Sequence, residues 1–309
     1  MSVVERALDV ARAHPDDLLA IVGPTASGKT ALAVALAERL GGEIVSADSV
    51  QVYREFDLGS GKPSDDELAR APHHLVSVLG PLEPIDAAAW AERASSVIDD
   101  VRRRGRVPIV CGGTFLWVKA LLHGLARAPA ASPELRQRLR EIAEREGRAA
   151  LHERLRSVDP ASASRLHRND LVRVGRALEV WELTGKALSA WQAEHAFAPV
   201  RHRARLLALG LEPEALTTRI RARVRAMLAS GWVDEVASLR ARGCDGARAM
   251  GSVGYAQVRA HLAGELPAEE LEAAVVRATR VFARRQRTWL NHADVAWLTP
   301  DGDQSSLGT

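Results

Sequence analysis

An eight-residue segment of this chain has the residue types and spacing of a phosphate-binding loop. It follows the pattern G-x-x-x-x-G-K-[ST] and reads Gly23-Pro24-Thr25-Ala26-Ser27-Gly28-Lys29-Thr30. The glycines let successive backbone N–H groups turn toward phosphate oxygens, and the N-terminus of a following helix adds positive potential. Lys29 supplies a positive charge for the phosphates, and the Thr30 hydroxyl is placed to ligate Mg²⁺. The segment predicts that a diphosphate or triphosphate binds, without saying which.

A second polar segment follows the predicted strand Glu43–Ala47. It reads Asp48-Ser49-Val50-Gln51-Val52-Tyr53 and carries more hydrogen-bonding side chains than a strand-to-helix connection requires. Because ligands bind at the carboxyl edge of parallel sheets, we expect this segment beside the phosphate-binding loop. The Asp48 carboxylate has three alternatives there: to bind Mg²⁺ through water, to accept a proton, or to cap the next turn.

The predicted strand Val107–Cys111 ends in Gly112-Gly113-Thr114 at the same edge. This strand lacks the terminal aspartate with which a typical ATPase holds Mg²⁺ and orients water, which argues against a motor or hydrolase. The glycines are consistent with a tight turn and Thr114 with a helix N-cap. The functional alternative has Thr114 hydrogen-bonding a ligand near the phosphates.

Arginines are unevenly balanced by acidic residues along the chain. Between residues 133 and 195 glutamates interleave with the arginines, as on solvated helices. In contrast, the arginines from Arg277 to Arg287 have no acidic residue between them. Unbalanced arginine near a phosphate-binding loop suggests contacts to a pyrophosphate or to an RNA backbone. Trp289, at the end of this run, suits either base stacking or a gap between helices.

The elements that position these residues form an α/β pattern. The strands Leu18–Val22, Glu43–Ala47 and Val107–Cys111 alternate with helices, which predicts a parallel sheet of the P-loop NTPase-like class flanked by helices. From Pro133 to His195 the pattern is helical throughout, so we expect an all-helical insertion domain. The expected domains are a catalytic core of residues 1–128 and 200–309, and an insertion of residues 129–199 that contacts RNA.

Composition is that of a globular protein with no membrane span. With 309 residues, of which 47% are hydrophobic, the chain has room for one large domain and an insertion. Its N-terminal segment is rich in acidic residues, which argues against a secretory signal. Two cysteines form neither a metal-binding pattern nor a disulfide framework, so we expect a cytoplasmic protein. A net charge of +3 does not by itself require a nucleic-acid partner.

The motifs, in their order and spacing, resemble the tRNA dimethylallyltransferase family (isopentenyl-diphosphate:tRNA transferases) from about residue 20 to residue 298. Without a zinc-binding tail like that of eukaryotic relatives, the bacterial type is the expected match. Besides the phosphate-binding loop, the resemblance rests on these segments: Ser46-Ala47-Asp48-Ser49 with Gln51 and Tyr53, Gly59 to Lys62-Pro63, Pro72-His73-His74, Gly112-Gly113-Thr114, Asn169-Asp170 with Arg173 and Arg176-Ala177-Leu178-Glu179-Val180, Gly254-Tyr255, and Arg285-Gln286-Arg287-Thr288-Trp289.

The resemblance implies prenyl transfer. The dimethylallyl group of dimethylallyl diphosphate would move to the exocyclic amine of adenosine at tRNA position 37, in tRNAs that read codons beginning with U. The phosphate-binding loop would then hold the diphosphate leaving group, with Mg²⁺ as cofactor on Thr30. The implied partners are dimethylallyl diphosphate and the anticodon stem-loop of tRNA, with no membrane and with the chain acting as a monomer.

The resemblance also implies roles for individual residues. Asp48 would be the general base, with Thr114 and Lys29 completing the catalytic group. The phosphate-binding loop, Gly23 to Thr30, would bind the diphosphate. The tRNA-contacting residues would be Asp48, Ser49, Val50, Gln51, Thr114, Arg136, Arg173, Arg176, Gly254, Tyr255, Arg285, Gln286 and Trp289.

Three other functions remain as alternatives. A relative that prenylates free AMP, ADP or ATP would share the loop and Asp48 but would not need the helical insertion. A kinase, or an RNA-binding module switched by a nucleotide, would consume or respond to ATP. An inactive tRNA-binding module is disfavoured by the presence of Lys29, Thr30 and Asp48 together.

Overall fold

The computed structural model describes residues 1–126, 128–129, 131–197 and 200–299. Within this part of the chain, six parallel strands form one sheet with the order β3-β2-β4-β1-β5-β6. The strands are β1 (Leu18–Val22), β2 (Gly42–Ser46), β3 (His73–His74), β4 (Val107–Gly112), β5 (Ala204–Leu209) and β6 (Ala296–Leu298).

Helices connect the strands and fill the helical segment of the sequence. In the described residues they are α1 (Val3–Ala13), α2 (Lys29–Leu40), α3 (Asp65–Arg70), α4 (Ala87–Arg103), α5 (Phe115–His123), α6 (Pro133–Glu146), α7 (Arg148–Val158), α8 (Pro160–Arg165), α9 (Leu171–Thr184), α10 (Leu188–His195), α11 (Pro213–Ala229), α12 (Trp232–Ala241), α13 (Tyr255–Leu262) and α14 (Ala268–Leu290).

The central strands are apolar because both faces of the sheet are covered by helices. Every residue of β1 is buried, and Val22 at its end pairs with Gly112 of β4 and Ala208 of β5. β1 therefore ends between two neighbours whose carboxyl ends lie at the same edge. This register places the segments that follow β1, β2 and β4 at one edge of the sheet, and the P-loop NTPase-like α/β class is confirmed.

Local sequence signals explain where several helices begin and end. The Asp86 side chain accepts a hydrogen bond from the Ala89 N–H, so α4 begins where its N-cap predicts. Gly41 ends α2 in the left-handed conformation, which glycine adopts without steric cost. Proline occupies the first turn of α11, where its missing N–H costs no helical hydrogen bond.

Two predicted strands have slightly different bounds in the structure: β2 spans Gly42–Ser46 instead of Glu43–Ala47, and β4 extends one residue beyond Val107–Cys111, to Gly112. The fifth strand, Ala204–Leu209, ends at Leu209, and the Gly210 N–H beyond it donates to the Leu298 carbonyl of β6 at 3.0 Å. The strand β3 was not predicted, since two histidines carry no apolar run. It exists because its backbone pairs with β2 at the edge of the sheet. The last strand, β6, begins at Ala296 and pairs with β5 at the other edge of the sheet.

The chain divides into two compact units, each with its own apolar core. One consists of residues 1–122 and 201–309 and the other of residues 123–200. The second unit therefore begins earlier and ends one residue later than the expected insertion, 129–199. Residues 127, 130, 198 and 199, and the last ten of the expected core, 300–309, lie outside the described residues. In the described part, no helix is both long and apolar enough to span a membrane.

Candidate active site

A cavity of about 340 Å³ opens at the carboxyl edge of the sheet, within the unit that contains the strands. It is lined by the segments that follow β1, β2 and β4 and by the helices α11, α12 and α14. The cavity brings together these sequence-predicted site residues: Thr25, Ala26, Lys29, Thr30, Asp48, Ser49, Val50, Gln51, Thr114 and Gln286.

The phosphate-binding loop joins β1 to α2 as its motif predicts. Gly28 is the N-cap of α2 and has the left-handed conformation, with φ of 99°. The Lys29 Nζ donates a hydrogen bond to the Pro24 carbonyl at 2.7 Å, so the lysine folds back along the loop. Burial of the ammonium group, with Arg223 nearby, lowers the pKa of Lys29 from 10.5 to about 8. Lys29 is thus a cation in a desolvated cavity that lacks a full complement of anionic partners.

Asp48 caps the turn after β2 with one carboxylate oxygen only. Its Oδ1 accepts hydrogen bonds from the Val50 and Gln51 N–H groups at 2.9 and 3.3 Å. Its Oδ2 accepts no hydrogen bond from any residue that the structure describes. The capping role and a chemical role are therefore compatible, because the capped oxygen orients the carboxylate and leaves the other oxygen available in the cavity.

Thr114, which follows β4, forms hydrogen bonds with the residues that follow β2. Its Oγ1 accepts a hydrogen bond from the Ser49 N–H at 3.0 Å and lies 3.3 Å from the Ser49 hydroxyl. Its own N–H donates to the Ala47 carbonyl at 3.1 Å. A Cβ on Gly112 would overlap the Ala47 backbone, so the close approach of the two strand ends requires glycine there. Thr114 and Asp48 therefore face the same space from a fixed scaffold.

Gln286 lines the cavity and is buried among residues of the same unit. Only 5% of its surface is exposed. Its Oε1 accepts from the Thr25 N–H at 2.8 Å, and its Nε2 donates to the Gly113 carbonyl at 3.0 Å. The amide oxygen and nitrogen each keep one further hydrogen-bonding position, so a tRNA contact of Gln286 within the cavity stays a prediction. Gln286 links the phosphate-binding loop to the turn after β4.

Two arginines of α11 lie near the phosphate site and were not predicted as site residues from the sequence. The Arg219 Nη1 donates to the Ser27 carbonyl of the phosphate-binding loop at 3.3 Å. Arg223 lines the same cavity as Lys29, and its Nη2 donates to the Gly61 carbonyl at 3.4 Å. Burial lowers the pKa of Arg223, and the Asp48 carboxylate opposes that shift. The sequence carried a signal in their i, i+4 spacing, which puts both side chains on one helix face. Four alternating arginines on α11 obscured it.

Part of the cavity lining is apolar. Val224 and Met227 of α11 line the cavity, as do Val275 and Phe282 of α14. Phe282 is 38% exposed although it is a large hydrophobic side chain. The cavity therefore combines cationic and hydrogen-bonding groups with apolar side chains, which suits a ligand that has an anionic end and a hydrocarbon end.

Gly254 and Tyr255 pack against Trp232, one of the side chains that line the cavity. Gly254 has φ of 91°, and a Cβ there would overlap the ring of Trp232, which lines the cavity. Tyr255 is fully buried, and its hydroxyl donates to the Glu235 carboxylate at 2.7 Å. Burial raises the pKa of this phenol. Direct tRNA contact does not fit Tyr255, which supports Trp232 through an edge-on ring contact with centroids 5.4 Å apart.

In the helical unit, two of the three predicted tRNA-contacting arginines bind a buried glutamate. The Glu179 carboxylate is fully buried and receives Arg136 Nε at 2.9 Å and Arg176 Nη1 at 2.5 Å. Burial alone would raise the pKa of Glu179, but hydrogen bonds from both guanidiniums hold it below its ordinary value. Arg173 differs: among the described residues its ion-pair partner is Asp170, the N-cap of its own helix, and its side chain is 69% exposed.

The remaining predicted contacts lie on α14. Arg285 is exposed and lies outside the cavity. Trp289 stacks on Phe115 with ring centroids 4.4 Å apart and an interplanar angle of 4°. The Trp289 ring therefore fills a gap between α14 and α5, the alternative to base stacking that its position allows.

The residues present fit a magnesium ion held mainly by substrate oxygens. The described residues contain no group of three or more histidines, cysteines and acidic residues that would enclose a metal. Thr30 and Asp48 nevertheless line one cavity, and the buried Ser27 hydroxyl has no hydrogen-bond partner among described residues. Mg²⁺ in phosphate sites takes few protein ligands and completes its shell with phosphate oxygens and water.

Two family models match the chain. The model described as IPP transferase matches residues 51–293, and the model described as isopentenyl transferase matches residues 16–81. Together they span both the phosphate-binding loop and the helical unit.

Curated relatives match over nearly the full chain. A tRNA dimethylallyltransferase of Sorangium cellulosum is 64% identical over 289 residues, covering 94% of this chain and 92% of the relative. One of Anaeromyxobacter dehalogenans is 52% identical over 291 residues, covering 94% of this chain and 97% of the relative.

Solved structures agree with this fold. A tRNA isopentenylpyrophosphate transferase of Bacillus halodurans superposes with a TM-score of 0.68 at 35% identity, covering 94% of this chain and 92% of that chain. A eukaryotic dimethylallyltransferase acting on tRNA gives a TM-score of 0.76 at 26% identity, covering 92% of this chain and 73% of that chain.

Proposed function

Because this chain belongs to the IPP transferase family, we propose that its cavity transfers the dimethylallyl group of dimethylallyl diphosphate to the exocyclic amine of a tRNA adenosine. The products are N6-dimethylallyladenosine in tRNA and diphosphate. The curated relatives are named for this activity. The finer proposal is that the adenosine lies at position 37, in tRNAs that read codons beginning with U.

The observation that carries the proposal is the mixed lining of the cavity. The phosphate-binding loop and Arg223 line it together with the apolar side chains Val224, Val275 and Phe282. Dimethylallyl diphosphate combines a polyanionic head with a short hydrocarbon, and so has a group for each kind of lining.

The protein stabilises the leaving group electrostatically. Breaking the allylic C1–O bond leaves its electron pair on diphosphate, so negative charge grows there during the reaction. Lys29, Arg223 and the N–H groups of the loop are arranged around that position in a desolvated cavity, where charge stabilisation is strongest. Mg²⁺ fits the same site on Thr30 and would supply charge neutralisation for the diphosphate.

Asp48 removes the proton from the nucleophile. The N6 amine forms a bond to C1 as the C1–O bond breaks, and the amine becomes acidic because its lone pair now bonds to carbon. Its proton passes to Oδ2, the carboxylate oxygen that caps no turn. Thr114 holds the Ser49 backbone in place next to this carboxylate, so it acts as a positioning residue for the base.

The base must leave its stack to reach a cavity at the sheet edge, which costs a few kcal/mol in general. We propose that the helical unit, residues 123–200, offsets this cost by holding tRNA, and that its exposed Arg173 contacts the RNA backbone. Arg285 is proposed as a second contact from α14. We propose that the chain carries out this reaction as a monomer in the cytoplasm.

A mass measurement tests the proposal. Purified protein is incubated with dimethylallyl diphosphate, Mg²⁺ and unmodified tRNA, and the RNA is then digested to nucleosides. We expect one adenosine beside the anticodon to be heavier by one dimethylallyl group, and the product to form more slowly, by about a hundredfold or more, in a parallel reaction with the Asp48→Asn variant. Prenylation of free AMP or ATP instead, or consumption of ATP without prenylation, would overturn the proposed function.

A further inference from the structure

The loop of residues 57–62 contributes peptide groups to the active cavity. Gly59, Ser60 and Gly61 line the cavity. Two of these residues have no side chain, and the Ser60 hydroxyl donates to the Phe56 carbonyl at 2.6 Å, within its own segment. The loop therefore acts on the cavity mainly through its backbone.

Two side chains of the cavity bind a carbonyl of this loop. The Gln51 Nε2 donates to the Gly61 carbonyl at 2.9 Å, and the Arg223 Nη2 donates to the same carbonyl at 3.4 Å. A Cβ on Gly61, which has φ of 60°, would lie 1.3 Å from the Arg223 Nη2. The guanidinium therefore rests directly on the loop backbone, and its position depends on where the loop lies.

Glu235 of α12 holds the first residues of the loop. Its Oε2 accepts hydrogen bonds from the Asp57 and Leu58 N–H groups at 3.0 and 2.8 Å, and its Oε1 accepts one from the Tyr255 hydroxyl at 2.7 Å. A carboxylate binds backbone N–H groups more strongly than a neutral acceptor does. Glu235 is 177 residues from Leu58, so a distant helix sets the path of the loop.

Lys62 closes the other end of the loop. Its Nζ donates to the Tyr53 carbonyl at 2.6 Å and to the Asp57 Oδ1 at 2.5 Å. Only 10% of the Lys62 side chain is exposed. Both ends of the loop are therefore fixed, which holds the peptide groups between them in the cavity.

We propose that Glu235 is a positioning residue for prenyl transfer, which acts on the leaving group through the 57–62 loop and Arg223. This inference rests on the proposed function, since it takes diphosphate as the group that Arg223 stabilises. The Gly61 carbonyl engages one of the five N–H donors of the guanidinium and leaves others for phosphate oxygens. A cation held in place stabilises the growing charge without reorganisation during the reaction.

A role of Glu235 in helix stability alone makes a different prediction. Acidic side chains in the first turn of a helix stabilise it through the helix dipole, and α12 has two there, Asp234 and Glu235. Asp234 is exposed, and its side chain forms no hydrogen bond or ion pair with a described residue. Asp234→Ala therefore removes the same charge from the same turn without touching the loop, and is the matched control.

Single-turnover kinetics with saturating tRNA and dimethylallyl diphosphate test the proposal. We expect the rate constant of Glu235→Ala to fall about tenfold to a hundredfold, because the cation is no longer held where charge develops. The Kd for dimethylallyl diphosphate should change less than about threefold, since both cations of the cavity remain. Glu235→Gln keeps an acceptor for the two N–H groups and should recover most of the rate, and Asp234→Ala should keep all of it.

A double-mutant cycle with Arg223→Ala determines whether the effect passes through the guanidinium. In the Arg223→Ala background, Glu235→Ala should slow transfer by less than about a further twofold, because no guanidinium is left to position. Losses that multiply as if the two residues were independent would overturn the proposal.

The outcomes separate this proposal from the proposed function. Wild-type protein that fails to prenylate tRNA would refute the function itself. Active wild type, with a Glu235→Ala variant that is folded by circular dichroism and transfers at the wild-type rate, would overturn the positioning role, as would an equal loss in Asp234→Ala. If Glu235→Ala does not fold, Glu235→Asp is measured instead with the same expected loss, because it keeps the charge and withdraws the carboxylate by one methylene.

Discussion

At the residue scale, the two carboxylate oxygens of Asp48 have different roles in the proposed chemistry. Asp48 uses Oδ1 to close the turn after β2, through the Val50 and Gln51 N–H groups. This leaves Oδ2 for the proton of the nucleophile. An aspartate at the end of a strand is therefore not required to choose between capping and catalysis, and substitutions can separate the two roles.

Replacing Asp48 by asparagine should abolish the base and keep the cap. The amide oxygen still accepts from Val50 and Gln51, but the amide nitrogen cannot take a proton. We expect kcat for prenyl transfer to fall about a hundredfold or more, with tRNA affinity nearly unchanged. Single-turnover kinetics and tRNA binding measure the two quantities. Asp48→Ala, which loses both roles, is the comparison, and normal turnover by the asparagine variant would remove Asp48 from proton transfer.

Binding of dimethylallyl diphosphate in the absence of tRNA should weaken as the pH rises above about 8. Lys29 has its pKa lowered to about 8 by burial, so the free protein loses this positive charge in that range. Because the neutral amine attracts the diphosphate less than the ammonium ion does, the affinity falls as the pH rises. Calorimetric titrations from pH 6.5 to 9.5 measure the effect. In Lys29→Arg the charge persists, so its affinity should stay level, and identical profiles for the two proteins would contradict the assignment.

Gln286 should matter for the binding of dimethylallyl diphosphate. Gln286→Leu removes both hydrogen bonds that join Thr25 to Gly113, and so loosens the phosphate-binding loop. We expect about tenfold weaker binding of dimethylallyl diphosphate, the scale of one or two lost hydrogen bonds. Gln286→Glu keeps the acceptor for Thr25 and should recover part of the loss. If Gln286→Leu instead binds tRNA more weakly and keeps its affinity for dimethylallyl diphosphate, Gln286 contacts tRNA, as the sequence analysis predicts.

At the element scale, one buried carboxylate joins two helices of the helical unit. Glu179 on α9 receives Arg136 of α6, Arg176 of its own helix and the Ser132 N–H. Arg176 also donates to the Pro129 carbonyl at 2.6 Å. These contacts hold the segment that leads into α6 against α9. Arg136 and Arg176 therefore have a structural role in this unit, and their contact with tRNA stays a prediction.

The α6–α9 contact should weaken in acid. Because its pKa is held below the ordinary value, Glu179 contributes stability above pH about 4.5 that is lost as the pH falls through its folded-state pKa. Hydrogen exchange of α9 amides in wild type and Glu179→Gln, corrected for intrinsic rates, measures this. The protection that distinguishes the two proteins at pH 7 should shrink below pH 4.5. A difference that stays constant with pH would show that the charge of Glu179 is not responsible.

At the scale of the whole molecule, the two units have separate apolar cores. The core of the strand-containing unit includes Ile21 and Leu36, and the core of the helical unit includes Leu139, Leu151 and Leu155. A chain with two independent cores is not expected to unfold in a single two-state step.

Core truncations should therefore shift different thermal transitions of the full chain. Leu151→Ala and Leu36→Ala each remove a fully buried side chain, which costs about 2–5 kcal/mol. In scanning calorimetry we expect each substitution to lower the transition of its own unit and to leave the other within a few degrees. One transition that moves equally in both variants would show that the units unfold together.

Much of the fold and part of the site follow from local sequence. The phosphate-binding loop, the alternation of strands and helices and the cap at Asp86 are short-range patterns, and the structure has each where the pattern predicts it. The carboxyl edge as the location of Asp48 and Thr114 follows from the parallel sheet. The role of Arg219 and Arg223 could not be read as clearly, because four alternating arginines leave the choice of helix face to packing.

The sequence by itself determined the class of fold, the diphosphate-binding loop and the reaction family, because these depend on residues that are adjacent or regularly spaced. Only the tertiary structure gave the hydrogen-bond partners of Gln286, Tyr255, Arg136 and Arg176, which the sequence predicts as tRNA contacts. Each of the four side chains forms a hydrogen bond with a residue at least 20 positions away along the chain. A polar residue becomes a ligand contact or a structural link according to which partner the fold brings within hydrogen-bonding distance, and spacing does not encode that choice.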